Sequence, residues 1–156
     1  MKTQKITLDI DEDEEITLGL IRLVKKVPHH ELFFHLNVLN PFTFKRIADL
    51  HFQGNYYDYY YPRYEAFHHD SQICIHIIAN KSSHSLQKKT SVELFQAEQD
   101  INYLLDDFQD VEYLIQTSEP FGDFSVILLP ENLMFQIQDF QLSPQERLYQ
   151  LIQYYE

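Results

Sequence analysis

The sequence predicts an α+β domain: a mostly antiparallel, twisted sheet with two helices packed on one face. Three observations carry that expectation. Short runs with period-two alternation follow one another across turn residues, the pattern of a meander. Six of the eleven tyrosines fall in one block, Tyr56-Tyr57-Asp58-Tyr59-Tyr60-Tyr61-Pro62-Arg63-Tyr64, and tyrosine suits a pleated, half-buried strand. Two apolar stripes at helical spacing stand apart from these runs, one after Pro28 and one after Pro144.

Lys5 to Ile10 alternates apolar and polar and reads as a half-buried strand, followed by an acidic turn at 11–15. Ile16 to Val24 is a richer strand, in which Gly19 marks a bulge or a close backbone approach. Pro28 then opens a helix, because its fixed φ and missing N–H suit a first turn. Leu32, Phe33, Leu36 and Leu39 form its stripe and Pro41 ends it.

Phe44 to Phe52 is a strand, Gly54-Asn55 a turn, and Tyr56 to Phe67 a second strand broken or edged by Pro62. His69-Asp70-Ser71-Gln72 has turn chemistry. Ile73 to Ala79 reads as a central strand buried on both faces, which places Cys74 in the core as a small apolar filler. The polar stretch 80–91 is expected to be a mobile surface loop and 92–105 a short helix. Strands are expected at 111–115 and 124–129, while 132–140 fits neither period. Ser143-Pro144-Gln145-Glu146 has the form of a capping box, with Leu148, Leu151, Ile152 and Tyr155 on one helix face.

Composition excludes several classes. At 156 residues the chain suits a single domain, 1–156, with 44% hydrophobic residues to fill its core. Three glycines and no GxGxxG or GxxxxGK[ST] pattern remove the usual phosphate loops. A net charge of −12 disfavours nucleic acid and anionic membrane surfaces. One cysteine excludes an internal disulfide, and no apolar run approaches the ~20 residues of a membrane span. A cytoplasmic address is the resulting expectation, with no cofactor called for.

The order of elements resembles the IPExxxDY family of small bacterial proteins. The similar features are the strand Ile16-Thr17-Leu18-Gly19-Leu20-Ile21, the pair Leu36-Asn37 on the following helix, and an aromatic β region ending at Asn80-Lys81. The naming motif falls at Tyr103 to Leu114, where Leu105, Asp106 and Asp107 stand for Ile, Pro and Glu. Glu112-Tyr113 stands for Asp-Tyr, one residue further along. The resemblance implies one soluble bacterial domain and no particular catalytic residue.

Among residues that could carry chemistry, the tyrosines come first, since their rings give large contact area at little entropic cost. The leading expectation is a small non-enzymatic binding or adaptor protein. Its contact surface would be one face of the Tyr-rich strand, Tyr57, Tyr59, Tyr61 and Arg63, docked on a protein partner or a second copy of the chain. The alternative is a metal-dependent hydrolase. A hairpin bearing His68, His69 and His76 offers imidazole ligands for zinc-like ions. Asp9, Asp11, Asp13 and Glu15 alternate as calcium ligands do, but lack the turn glycine. Lys81 to Ser85 with Lys88-Lys89 offers phosphate donors, which a surface loop explains equally. Asp106, Asp107, Asp110 and Glu112 are dense enough for acid–base pairs and equally suited to solvation.

Overall fold

The computed structural model describes residues 16–70, 72–87, 100–117, 124 and 127–155. The strand expected at 5–10 and the acidic segment 11–15 lie outside the described residues. Seven strands occur within them: β1 (Ile16–Ile21), β2 (Lys45–Gln53), β3 (Tyr57–His68), β4 (Ile73–Ala79), β5 (His84–Gln87), β6 (Tyr113–Thr117) and β7 (Gln138–Leu142). The helices are α1 (His29–Leu39) and α2 (Arg147–Tyr155). One sheet runs β2-β3-β4-β6-β1-β7 with every pairing antiparallel, and β5 pairs with β3. The α+β class and the meander β2-β3-β4 are therefore present. No helix among the described residues is long and apolar enough to cross a membrane.

The two helices do not share a face. α1 buries Leu32, Phe33 and Leu36 against Ile21, Tyr64, Ile75, Ile77, Tyr113 and Ile115. α2 buries Leu148, Tyr149 and Ile152 against Leu18, Leu20, Leu114 and Leu142. Consecutive strand residues point to opposite sides, so Leu20 and Ile21, or Leu114 and Ile115, meet different helices. The reason lies in the central strands, where Leu18-Gly19-Leu20-Ile21 and Tyr113-Leu114-Ile115 are buried without alternation. A strand apolar on both faces needs cover on both. Each fully buried leucine or isoleucine there contributes about 1.5–3 kcal/mol.

Gly19 is a close approach, as its position suggested. A Cβ on it would fall on the Ile115 side chain, 2.5 Å from Ile137 Cγ2 and 3.0 Å from Phe124 Cε2.

β3 runs unbroken through Pro62. Beside that proline three interruptions coincide. The β2 register shifts between Ile47 and Leu50, β4 pairing begins at Arg63, and β5 pairing ends at Tyr60. A residue without an N–H costs nothing at such a point. Arg63 Nε donates to Ala48 O at 2.8 Å and ties the irregularity together.

Several sequence expectations are corrected. The segment after β4 is not a plain surface loop. Asn80 is fully buried, with Nδ2 donating to Phe108 O (2.9 Å) and Val111 O (3.1 Å) while Oδ1 accepts from Leu105 N (2.9 Å). Lys81 bridges to Tyr103 and His84–Gln87 forms β5. Of the helix expected at 92–105, residues 92–99 lie outside the described set, and 100–105 are irregular before a 3₁₀ turn at Asp106–Phe108. Phe124 and 127–129 carry no strand; Phe124 and Ile127 turn inward as core plugs with Leu129 partly buried beside them, while the Leu128 side chain is exposed and its N donates to Asn40 Oδ1 at 2.7 Å. Ser143 heads a turn rather than the helix. Gln145 N donates to its Oγ (3.3 Å) and Glu146 N to its carbonyl (3.0 Å), and α2 begins at Arg147.

Candidate functional site

The Tyr-rich strand has two different faces. Tyr57, Tyr59 and Tyr61 alternate toward the side of α2, where Tyr59 and Tyr61 are core and Tyr57 is partly buried against them. Tyr59 is 2% and Tyr61 0% exposed, packed with Leu50 and Ile78. Asn102 Nδ2 donates to the Tyr61 hydroxyl at 2.9 Å, and burial pushes that phenol's pKa up. The expected contact face is thus inward for Tyr59 and Tyr61, and the Arg63 guanidinium has an internal acceptor. Alternation could not reveal which side was covered.

On the opposite side, Tyr60 lies in a row across three strands. Its ring stacks on His51 (centroids 4.8 Å, 3° between planes) and on His84 (4.7 Å, 5°). His51 Nε2 stands 3.7 Å from Asp58 Oδ1.

A groove of about 290 Å³ opens on the α2 side, between the β2–β3 hairpin, the segment 102–106 and the start of α2. Phe52 and Tyr59, cross-strand neighbours, form one wall with rings 6.0 Å apart and 18° between planes. Leu104, Leu148 and Leu151 supply more apolar lining; Asn102, Asp106 and Arg147 supply polar groups. The Arg147 guanidinium sits 4.7 Å over the Phe52 ring. It forms no ion pair among the described residues.

The histidine trio does not assemble. His68 turns to the α1 side and packs edge-on against Phe42 (5.3 Å), whereas His69 lies in the turn against Phe67 (4.9 Å). His76 points to the other face, where its Nε2–H donates to Glu65 Oε2 at 2.9 Å. The Cys74 thiol donates to the same oxygen at 3.3 Å, and Sγ lies 3.9 Å from His76 Nε2. Glu65, Cys74 and His76 are the one group of three His, Cys, Asp or Glu donors gathered this closely among the described residues. Cys74 is consequently not core filler; it is half-buried, on the α2 side of the sheet but outside the cluster on which α2 packs.

Register explains what the sequence reading missed. Only four residues join β3 to β4, and the resulting register sets Glu65 opposite His76 and Phe67 opposite Cys74. The turn chemistry is legible in the sequence; the partner of Glu65 depends on the exact register that follows it. Phe52, Asn102 and Arg147 carry no local signal, since the groove joins segments far apart in the chain.

The cluster is not arranged for nucleophilic catalysis. A reactive cysteine needs a base or cation that favours its thiolate. Burial and the Glu65 carboxylate instead push the Cys74 thiol up to about 11. Glu65 is held below the usual carboxylate range by the hydrogen bonds from Cys74 and His76.

A second histidine is tied to a buried phenol on the α1 side. His29 Nδ1 and the Tyr113 hydroxyl are hydrogen-bonded, and burial raises the Tyr113 pKa. Desolvation, then Arg46, lowers that of His29.

The remaining sequence candidates are used by the fold. Ser82 Oγ accepts from Asn102 N (3.0 Å) and Ser83 Oγ donates to Tyr60 O (3.2 Å), while Lys88-Lys89 lie outside the described residues. Asp110 pairs with Arg22 at 2.6 Å, which holds its carboxyl below the ordinary value. The calcium-like run Asp9 to Glu15 also lies outside the described residues. No protein-family model, no curated protein and no solved structure matches this chain.

Proposed function

We propose that this chain is a small non-enzymatic binding protein of the bacterial cytoplasm. It would seat one large apolar side chain of a protein partner in the groove between the Tyr-rich hairpin and α2. The observation that carries the reading is the groove itself: a stacked Phe52–Tyr59 wall, leucines opposite, and Arg147 with no ion-pair partner among the described residues. At about 290 Å³ it sits at the lower bound of small-molecule sites, which run to about 300–1,000 Å³. It has room for a single anchor residue. Aromatic and arginine side chains are the groups that dominate protein contacts. The net charge of −12 argues against a phosphate backbone as the partner.

The test is selection of displayed peptides on the purified protein, followed by titration of the winners. Enrichment of peptides with one aromatic or aliphatic anchor is expected, with binding weakened at least tenfold by Leu151→Glu. Concentration-dependent dimers abolished by the same substitution would identify the partner as a second copy. No enrichment, or binding indifferent to that substitution, overturns the reading.

A further inference from the structure

We propose that Glu65, Cys74 and His76 form a binding site for one zinc-class divalent transition-metal ion, on the open side of the β3–β4 hairpin. This site is separate from the groove and does not depend on it. Cys74 and His76 are two apart on β4 and so share a face; Glu65 lies directly across from His76 on β3. Two strands in a continuous antiparallel ladder hold the donors, so little ordering remains to be done on binding.

The donor atoms are already at ligand spacing. Glu65 Oε2, Cys74 Sγ and His76 Nε2 form a triangle with sides of 2.9, 3.3 and 3.9 Å. The point equidistant from its three corners is about 2.0 Å from each, against zinc bond lengths of about 2.0–2.3 Å. An ion displaced slightly from that plane meets all three without moving the backbone. The set of one thiolate, one imidazole and one carboxylate suits a borderline ion such as Zn²⁺ or Co²⁺ rather than calcium or magnesium, which take oxygen. Side chains of Glu65 and His76 are 42% and 22% exposed, which leaves an approach from solvent and a fourth position for water. The strongly negative chain favours cation entry.

Binding replaces the two hydrogen bonds now converging on Glu65. The thiol proton leaves to solvent as the S–metal bond forms. The Nε2 proton of His76 gives way to the tautomer protonated at Nδ1, so one proton is released per ion.

Titration of the purified protein with Co²⁺ alone tests this. One equivalent should produce an intense near-ultraviolet thiolate-to-cobalt band, displaced by Zn²⁺. Cys74→Ser should abolish the band, and Glu65→Gln or His76→Ala should weaken binding more than tenfold; His69→Ala should not. Circular dichroism of each variant confirms that it folds. Because alkylation reads the same thiol in the wild-type protein, slower labelling of Cys74 with Zn²⁺ present supports the site independently. No thiolate band, a band surviving Cys74→Ser, or equal loss in His69→Ala would show an adventitious ion only and overturn the proposal.

Discussion

Strand β3 contains two halves that are mirror images in their burial. From Tyr57 to Tyr61 the buried residues are the odd ones Tyr59 and Tyr61; from Arg63 to His68 they are the even ones Tyr64 and Ala66, with Glu65 half-buried and Phe67 exposed. Residue parity never changes along the strand; the cover does. The Leu50–Tyr59–Tyr61–Ile78 cluster closes the first half on the α2 side, and α1 closes the second half on the other. Pro62 sits at the exchange. Each open quarter carries polar chemistry: the His51–Tyr60–His84 stack in one, Glu65 with Cys74 and His76 in the other. Aromatic density alone is therefore no guide to a contact face. A run of tyrosines becomes core wherever some other element happens to lie over it.

The sharpest way to break this comparison is within the first half. Tyr61→Ser should cost about 3–5 kcal/mol, as for other large-to-small core changes. Tyr60→Ser should stay within about 1 kcal/mol, since its ring is stacked but half-exposed. Equal shifts in urea midpoint for the two variants would refute the assigned faces.

The second half should show the reverse order. Tyr64→Ser, which removes the ring stacked 3.8 Å from Phe33, should cost about 3 kcal/mol. Phe67→Ser, at a site 42% exposed, should cost about 1 kcal/mol or less. If both pairs favour odd positions, the exchange at Pro62 is wrong.

Between the halves and the doubly covered centre, Gly19→Ala should destabilise by about 1–3 kcal/mol through overpacking against Ile115 and Ile137. A neutral thermal shift would mean that these neighbours relax freely. Pro62→Ala should be milder still, about 0.4–1 kcal/mol, acting through the entropy of the unfolded chain. A larger loss would show that the exchange point is strained rather than merely permissive.

The smallest effect is one of pH. His29 is desolvated beside Tyr64 and Tyr113, and Arg46 and His30 oppose its charge more than Glu112 favours it, so its folded pKa lies below the ordinary 6.5. The unfolded chain then takes up the proton first. Stability from this group is full above pH 6.5 and declines as pH falls from there through the folded value. His29→Gln should flatten that part of the stability–pH curve; an unchanged slope would assign it to other groups.

Much of the β2–β4 meander could be read directly. Gly54-Asn55 and His69-Asp70 stand at turns because their chemistry permits tight reversal, and Gly54 N does donate to Tyr57 O at 2.8 Å. Of the stripe Leu32, Phe33, Leu36 and Leu39, the first three are buried as the spacing required, while Leu39 in the last turn is exposed. Gly19 is closely packed because nothing larger fits. Less was legible where polar residues turn inward. Asn80 looked like the start of a loop, yet every hydrogen bond its side chain makes goes to backbone 25 to 31 residues away.

The sequence by itself determined periodicity, turn positions and the places where a proline or glycine had to stand, because these follow from backbone sterics and nearest neighbours. Tertiary structure alone decided which face of each strand is covered, since that depends on where α1 and α2 dock. It placed Arg147 over Phe52 across 95 residues and left Cys74 and His76 beside Glu65 outside the cluster on which α2 packs. A strand fixes two sets of side chains by geometry. Only the elements packed upon it determine which set meets water.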